Sequence, residues 1–282
     1  MPALPAKTIT PAHADLRQLA LCLLAEPDPA TKAAGVQQLR GVFLRGELAL
    51  APLADLTESA AQMQLPGRPP RPELVAPTEV KRRKMSSPLG RATMIHAITH
   101  IEFNAINLAL DAIWRFAGMP AGFYADWLQV AQEEAYHFTL LRDHLRQLGH
   151  EYGDFPAHNG LWELTDRTRD DVLARMALVP RTMEARGLDA TPAIQARLQQ
   201  AGDIAASQIL DIILRDEIGH VAIGNRWFAH LCAQRGLDPL AAYARLAQAY
   251  QAPKLHPPFN LEARRAAGFS ETELTRLQEA PA

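Results

Sequence analysis

The sequence predicts an all-α protein: a four-helix bundle with one long crossover, flanked by further helices. Three observations carry this expectation. Ala and Leu recur throughout while aromatic residues make up only 6% of 282 positions, a mixture that favours helices over strands. Four long segments repeat apolar residues at intervals of three and four, the helical period. Capping residues, prolines and glycines punctuate those segments at their ends.

Composition narrows the class further. A hydrophobic content of 48% is ample for a substantial core, and 29 basic against 31 acidic residues leave a net charge of -2. No overall basic field draws the chain to nucleic acid or to an anionic membrane. Cys22 and Cys232 are isolated, so neither a disulfide framework nor a thiolate zinc site is indicated, and a reducing cytoplasm is the expected compartment. The N-terminus has no signal-peptide layout. The most apolar run, Ile209 to Leu214, is short and contains Asp211, which suits a core helix and not a membrane span.

In chain order, residues 1–65 read as accessory helices, with Leu16, Leu19, Ala20, Leu23 and Leu24 and then Leu39, Val42 and Phe43 at helical spacing. Residues 66–87 form a proline-rich arm, because proline fixes its own backbone angle and lacks an amide donor. Within the arm, Lys81, Arg82, Arg83 and Lys84 are either a solvated basic loop or a contact for phosphate or RNA. Residues 88–236 hold the bundle. Its first helix starts with Ser87 as cap and Pro88 at the first helical position and ends near Gly118-Met119-Pro120. One of its faces carries Ile95, Ile98, Glu102, Ala105, Ile106 and Ala109; the opposite side, with His96, His100, Asn104, Asn107 and Asp111, is a candidate second polar surface. The second helix, from Pro120 to Gly149, places Glu134 and His137 in the apolar stripe of Trp127, Val130, Leu141 and Leu145, while Glu133 falls on a more polar side. A dozen unpatterned residues, 149–161, are long enough for a crossover. The third helix is expected from Thr165, kinked at Pro180. The fourth runs from the cap Asp203 to Gly236. Residues 237–282 complete the chain as a helical tail packed on the bundle.

The chemistry lies in a pattern that occurs twice, Glu134-Ala135-Tyr136-His137 and Glu217-Ile218-Gly219-His220. Residues three apart share a helix face, so each pair can offer a carboxylate oxygen and an imidazole nitrogen to one metal. A buried acid such as Glu102 on an apolar face needs a counter-charge or a metal. Glu102 and Glu134 lie at similar depth on either side of the turn at 118–120. Glu184 and Glu217 do so only if the chain reverses near Gly202, which makes Gly187 to Pro192 a kink or short excursion.

Four long helices bearing Glu102, Glu134 with His137, Glu184, and Glu217 with His220 resemble the ferritin-like di-iron carboxylate superfamily, in which two helices each give a Glu and two each give a Glu-x-x-His. The segments Arg181 to Gly187 and Pro258 to Arg264 further resemble an uncharacterised bacterial branch of that superfamily, a domain of unknown function. The resemblance implies two metal ions held by those six residues. Four carboxylates and two imidazoles suit iron, with manganese or a mixed pair as alternatives.

The expected function is therefore a dinuclear oxidoreductase that uses dioxygen to oxidise or hydroxylate an organic substrate, with a redox partner to supply electrons. Tyr136, Trp227 and the Phe259 segment are candidates for shaping access, although core packing is the simpler reading of each. Iron handling by ferroxidation, hydroxylation of a nucleoside in tRNA through the basic run, and a metal-binding protein without turnover are the alternatives. A homodimer is compatible with all of them.

Overall fold

The computed structural model describes residues 15–279 apart from Pro52 and Arg82; expectations that fall on residues 1–14, Arg82 and 280–282 lie outside the described residues. All regular secondary structure among the described residues is helical, accompanied by two isolated bridges, Asp15 with Ala49 and Leu74 with Ala157. The α-helices are α1 (Leu16–Ala25), α2 (Pro29–Leu44), α3 (Thr57–Ala61), α4 (Pro88–Arg115), α5 (Ala121–Gln147), α6 (Gly160–Arg167), α7 (Val172–Leu178), α8 (Ala185–Gln200), α9 (Ile204–Gln234), α10 (Pro239–Ala249), α11 (Leu261–Ala266) and α12 (Glu271–Glu279). A π-helical segment, Val179–Glu184, joins α7 to α8. No described helix is long and apolar enough to cross a membrane.

The chain divides into two compact units, Met1–Pro69 with Ile106–Ala135, and Pro70–Ala105 with Tyr136–Ala282. In the first, the Arg17 guanidinium donates to the carbonyls of Ala51, Ala54 and Trp114 at 3.2, 2.7 and 2.6 Å, tying α1 to the loop after α2 and to the end of α4. Lys32 is fully buried and donates to the carbonyls of Leu24 and Gly67 and to Asn107 Oδ1. The α4–α5 turn is closed by Tyr124, whose hydroxyl donates to Phe116 O at 2.9 Å and accepts from Met119 N at 3.1 Å. Gly118 there has φ +76, a conformation glycine adopts without steric penalty.

In the second unit, one apolar core draws on α4 (Ala92, Ile95, Ile98), α5 (Leu141, Leu145), α8 (Leu198) and α9 (Ala206, Leu210, Ile213). Local sequence explains each element. Ser87 Oγ accepts from Gly90 N at 3.1 Å at the start of α4, and Asp203 accepts from Ala206 N at 3.1 Å at the start of α9. Asp203 also lies 3.1 Å from His144 Nε2, joining α5 to α9. The reversal between α8 and α9 is at Gly202, φ +79, as the depth argument requires.

Three local expectations are corrected. The third helix does not run on from Thr165: α6 ends at Arg167, and α7 starts afresh after Asp171, whose carboxylate accepts from Leu173 N at 3.0 Å. Gly187 to Pro192 is no excursion, since α8 runs through both residues. Pro192 lacks the N–H that would bond the carbonyl of Leu188, four residues back. Asn260 Nδ2 reaches that carbonyl at 3.2 Å, so the tail offsets the missing bond. Finally, the polar side of α4 is not a surface. His96, His100, Asn104, Asn107 and Asp111 are all buried, and each is used: His96 Nε2 accepts from Gly153 N at 2.9 Å, His100 Nδ1 lies 2.9 Å from the Tyr152 hydroxyl, Asn104 bonds His100, Asn107 bonds Lys32, and Asp111 takes Arg115 and Trp114.

Candidate metal centre

The same helical stripes that fill the core carry the acids. On α5, Val130, Glu134, His137, Leu141 and Leu145 are all fully buried; on α9, Ile213 and His220 are buried, with Glu217 between them on that face and partly covered. Glu133 sits outside this stripe and accepts from Gln129 Nε2 at 3.1 Å. Glu102, Glu134, His137 and Glu217 each bring one ligand atom to within 4.8 Å of the other three. Glu134 and His137 lie on one unbroken helix, α5. The step from Glu134 to His137 is thus set by a single helical turn.

This donor set fits a cation. Two ligands on one first-row ion, each roughly 2.1 Å from it, are at most about 4.2 Å apart, so ligand atoms that all lie within 4.8 Å of one another are close enough for the cluster to close on an ion. Three carboxylates gathered out of water repel one another, and a metal ion supplies the missing positive charge. Three carboxylates and one imidazole, with no thiolate, are ligand types that a divalent metal ion takes.

His137 is held from both sides. Its Nδ1 lies 3.3 Å from Glu102 Oε2, and its Nε2 lies 3.1 Å from Asp216 Oδ2. With Nδ1 turned to the cluster, Nε2 carries the proton and donates to Asp216, an arrangement that fixes the ring and raises its basicity toward a metal. Burial pushes the Asp216 carboxyl up, but hydrogen bonds from His137 and Arg215 outweigh it and bring the group down to about 2. Asp216 therefore remains a carboxylate at any ordinary pH. The sequence marks it only as the first acid of the doublet Asp216-Glu217.

The remaining two predicted ligands, His220 and Glu184, fall outside the four-residue cluster. His220 Nδ1 is 3.8 Å from Glu217 Oε1, and its ring centroid is 5.9 Å from that of His137. Glu184, at the end of the π-helical segment, is 8% exposed and lines a cavity of about 290 Å³ together with Glu102 and Glu217. Ile98, Ile101, Leu161, Met183, Ile194, Leu210 and Ile213 form the apolar part of its wall. Tyr136, Trp227 and Phe259 do not line it. Tyr136 points outward with 43% exposure, and Phe259 packs under the Arg264 guanidinium at 5.6 Å. His96 and His100 are likewise outside the four-residue cluster. Lys81, Arg83 and Lys84 line a different cavity, of about 460 Å³, with Arg197.

Comparison with known proteins places the chain without assigning it a reaction. Residues 25–275 match the family described as protein of unknown function (DUF455). A relative from Haemophilus influenzae, itself an uncharacterized protein, is 48% identical over 240 residues, covering 83% of each chain. No solved structure matches.

Proposed function

Since this chain belongs to the DUF455 family, whose description names no reaction, we propose its function from the site: it is a dinuclear metal protein of ferritin-like type that oxidises or hydroxylates an organic substrate with dioxygen. The observation that carries this reading is the buried cluster of Glu102, Glu134, His137 and Glu217. Glu184 and His220, beside it, complete the order Glu, Glu-x-x-His, Glu, Glu-x-x-His along four helices, the arrangement of dinuclear carboxylate bundles.

A pair of iron ions there would supply one-electron redox steps and a place for dioxygen to bind. The chain's own groups do the rest. Glu102, Glu134, Glu184 and Glu217 hold negative charge where positive charge rises on oxidation, and hard oxygen donors favour the higher oxidation state. Asp216 keeps His137 in one tautomer and one orientation. The apolar wall of the cavity keeps bulk water from reactive species. Hydroxylation of a C–H bond consumes one dioxygen, two electrons and two protons and yields an alcohol and one water, so an electron donor must dock to the protein.

Elemental analysis of aerobically purified protein tests the first step. The expected result is about two first-row ions per chain, falling by one or more in His137→Ala and His220→Ala with helix content unchanged by circular dichroism. Protein that binds no metal would sink the proposal.

A further inference from the structure

The cavity beside the cluster differs between its inner and outer ends. Its inner wall is buried: Ile98, Leu210 and Ile213 are at most 9% exposed, and Glu102 is 3% exposed. Toward solvent it is lined by His158, Arg186 and Ile101, the last 46% exposed although apolar. The guanidinium of Arg186 makes no hydrogen bond or ion pair with any described residue. An arginine left uncommitted at the rim of this cavity is a ready partner for carboxylate or phosphate, which it can grip with two parallel hydrogen bonds.

We infer that the cavity takes a small amphiphilic acid, its apolar body against Ile98, Leu210 and Ile213 and its carboxylate or phosphate head on Arg186 at the mouth. A volume near the lower end for ligand sites limits the body to on the order of a dozen non-hydrogen atoms. This inference rests on the metal reading: Glu102, Glu184 and Glu217 face the same cavity, and their charge opposes an anion unless cations neutralise it. With metal in place the acids no longer repel the ligand, and the head at Arg186 aims the far, apolar end of the molecule at the cluster.

Calorimetric titration of octanoate, octyl phosphate and octanol into metal-loaded and chelator-stripped protein tests it. Octanoate against octyl phosphate separates a carboxylate from a phosphate head. At least one of the two acids is expected to bind the metal-loaded protein more tightly than octanol does, and more weakly after stripping. Arg186→Gln should weaken that acid by about tenfold or more and leave octanol unchanged. Gly187→Leu is expected to fill the cavity, because a Cβ at Gly187 meets no atom within 4 Å and the residue lines the cavity; with helix content confirmed by circular dichroism, it should abolish binding of all three. Acids that bind no better than octanol, an Arg186→Gln protein with unchanged affinity, or no binding to protein of verified metal content would overturn the inference. Failure of the metal reading shows separately, as preparations without metal whose titrations do not change on stripping.

Discussion

At the scale of single residues, the site depends on groups that hold ligands as much as on the ligands. Asp216→Asn tests this. Asn keeps the shape of Asp but removes the full charge that His137 Nε2 meets at 3.1 Å, and it can offer a donor where an acceptor is needed. The tautomer that frees Nδ1 for metal then loses its preference. Metal affinity should fall about 10- to 100-fold with helix content and melting temperature little changed, as read by competitive titration against a chelator of known strength. A variant that binds metal as tightly as the parent would remove Asp216 from the site. Glu102, Glu134, His137 and Glu217 were legible in the sequence because each is a polar residue in an apolar stripe. Asp216 was not, because it lies one position off the stripe and its role follows from which helix faces α9.

At the scale of elements, the π-helical segment decides where Glu184 stands. Pro180 within it packs onto Gly224 of α9 so closely that a Cβ added there would lie 2.5 Å from Pro180 Cβ. Gly224→Ala must push the segment away, and overpacking of this kind costs roughly 1–3 kcal/mol. The opposite sign is expected at Gly219 on the same helix, where a Cβ meets nothing within 4 Å, so Gly219→Ala should stabilise by up to about 1 kcal/mol through helix propensity. Denaturant unfolding measures both. Adding Pro180→Gly, which removes both the Cβ and the Cγ that a Cβ at 224 would meet at 2.5 and 2.6 Å, to Gly224→Ala should recover part of the loss through coupling between touching residues; independent, additive effects would refute the steric account. The helix boundaries that sequence placed well are those with local causes, such as Ser87, Gly118, Gly202 and Asp203. The continuity of α8 was hidden because it depends on distant chain. Asn260 covers the carbonyl that Pro192 leaves open, and Arg264 pairs with Asp189 at 2.6 Å and donates to Ala185 O at 3.3 Å. The tail motif that suggested a family is thus the brace for the helix that follows Glu184.

At the scale of the whole molecule, each unit holds one base whose pKa burial lowers strongly, and the two contribute to the pH dependence of stability. In the second unit, burial lowers His96 from 6.5 to about 4, with the Asp154 charge opposing and His150 assisting; its Nε2 accepts from Gly153 N, a bond only the neutral ring can make. In the first, burial lowers Lys32 from 10.5 to about 7, assisted by Arg68 and opposed by Glu26. In both cases the unfolded chain binds more protons than the folded one between the two values, so stability rises with pH across each window. The His96 contribution is complete above 6.5 and is lost as pH falls toward 4, on the order of 3 kcal/mol at most. That of Lys32 is absent below about 7 and grows toward 10.5, on the order of 5 kcal/mol at most. Hydrogen exchange resolved by segment reads the two windows apart. His96→Gln, which keeps an acceptor for Gly153 N, should flatten the acid-side loss of protection in Pro70–Ala105 and Tyr136–Glu279. Lys32→Met should flatten the rise above pH 7 in residues 15–69 and Ile106–Ala135. A molecule in which either substitution alters both windows in both sets of segments would unfold as one cooperative body, and the two bases would then act on a single stability curve.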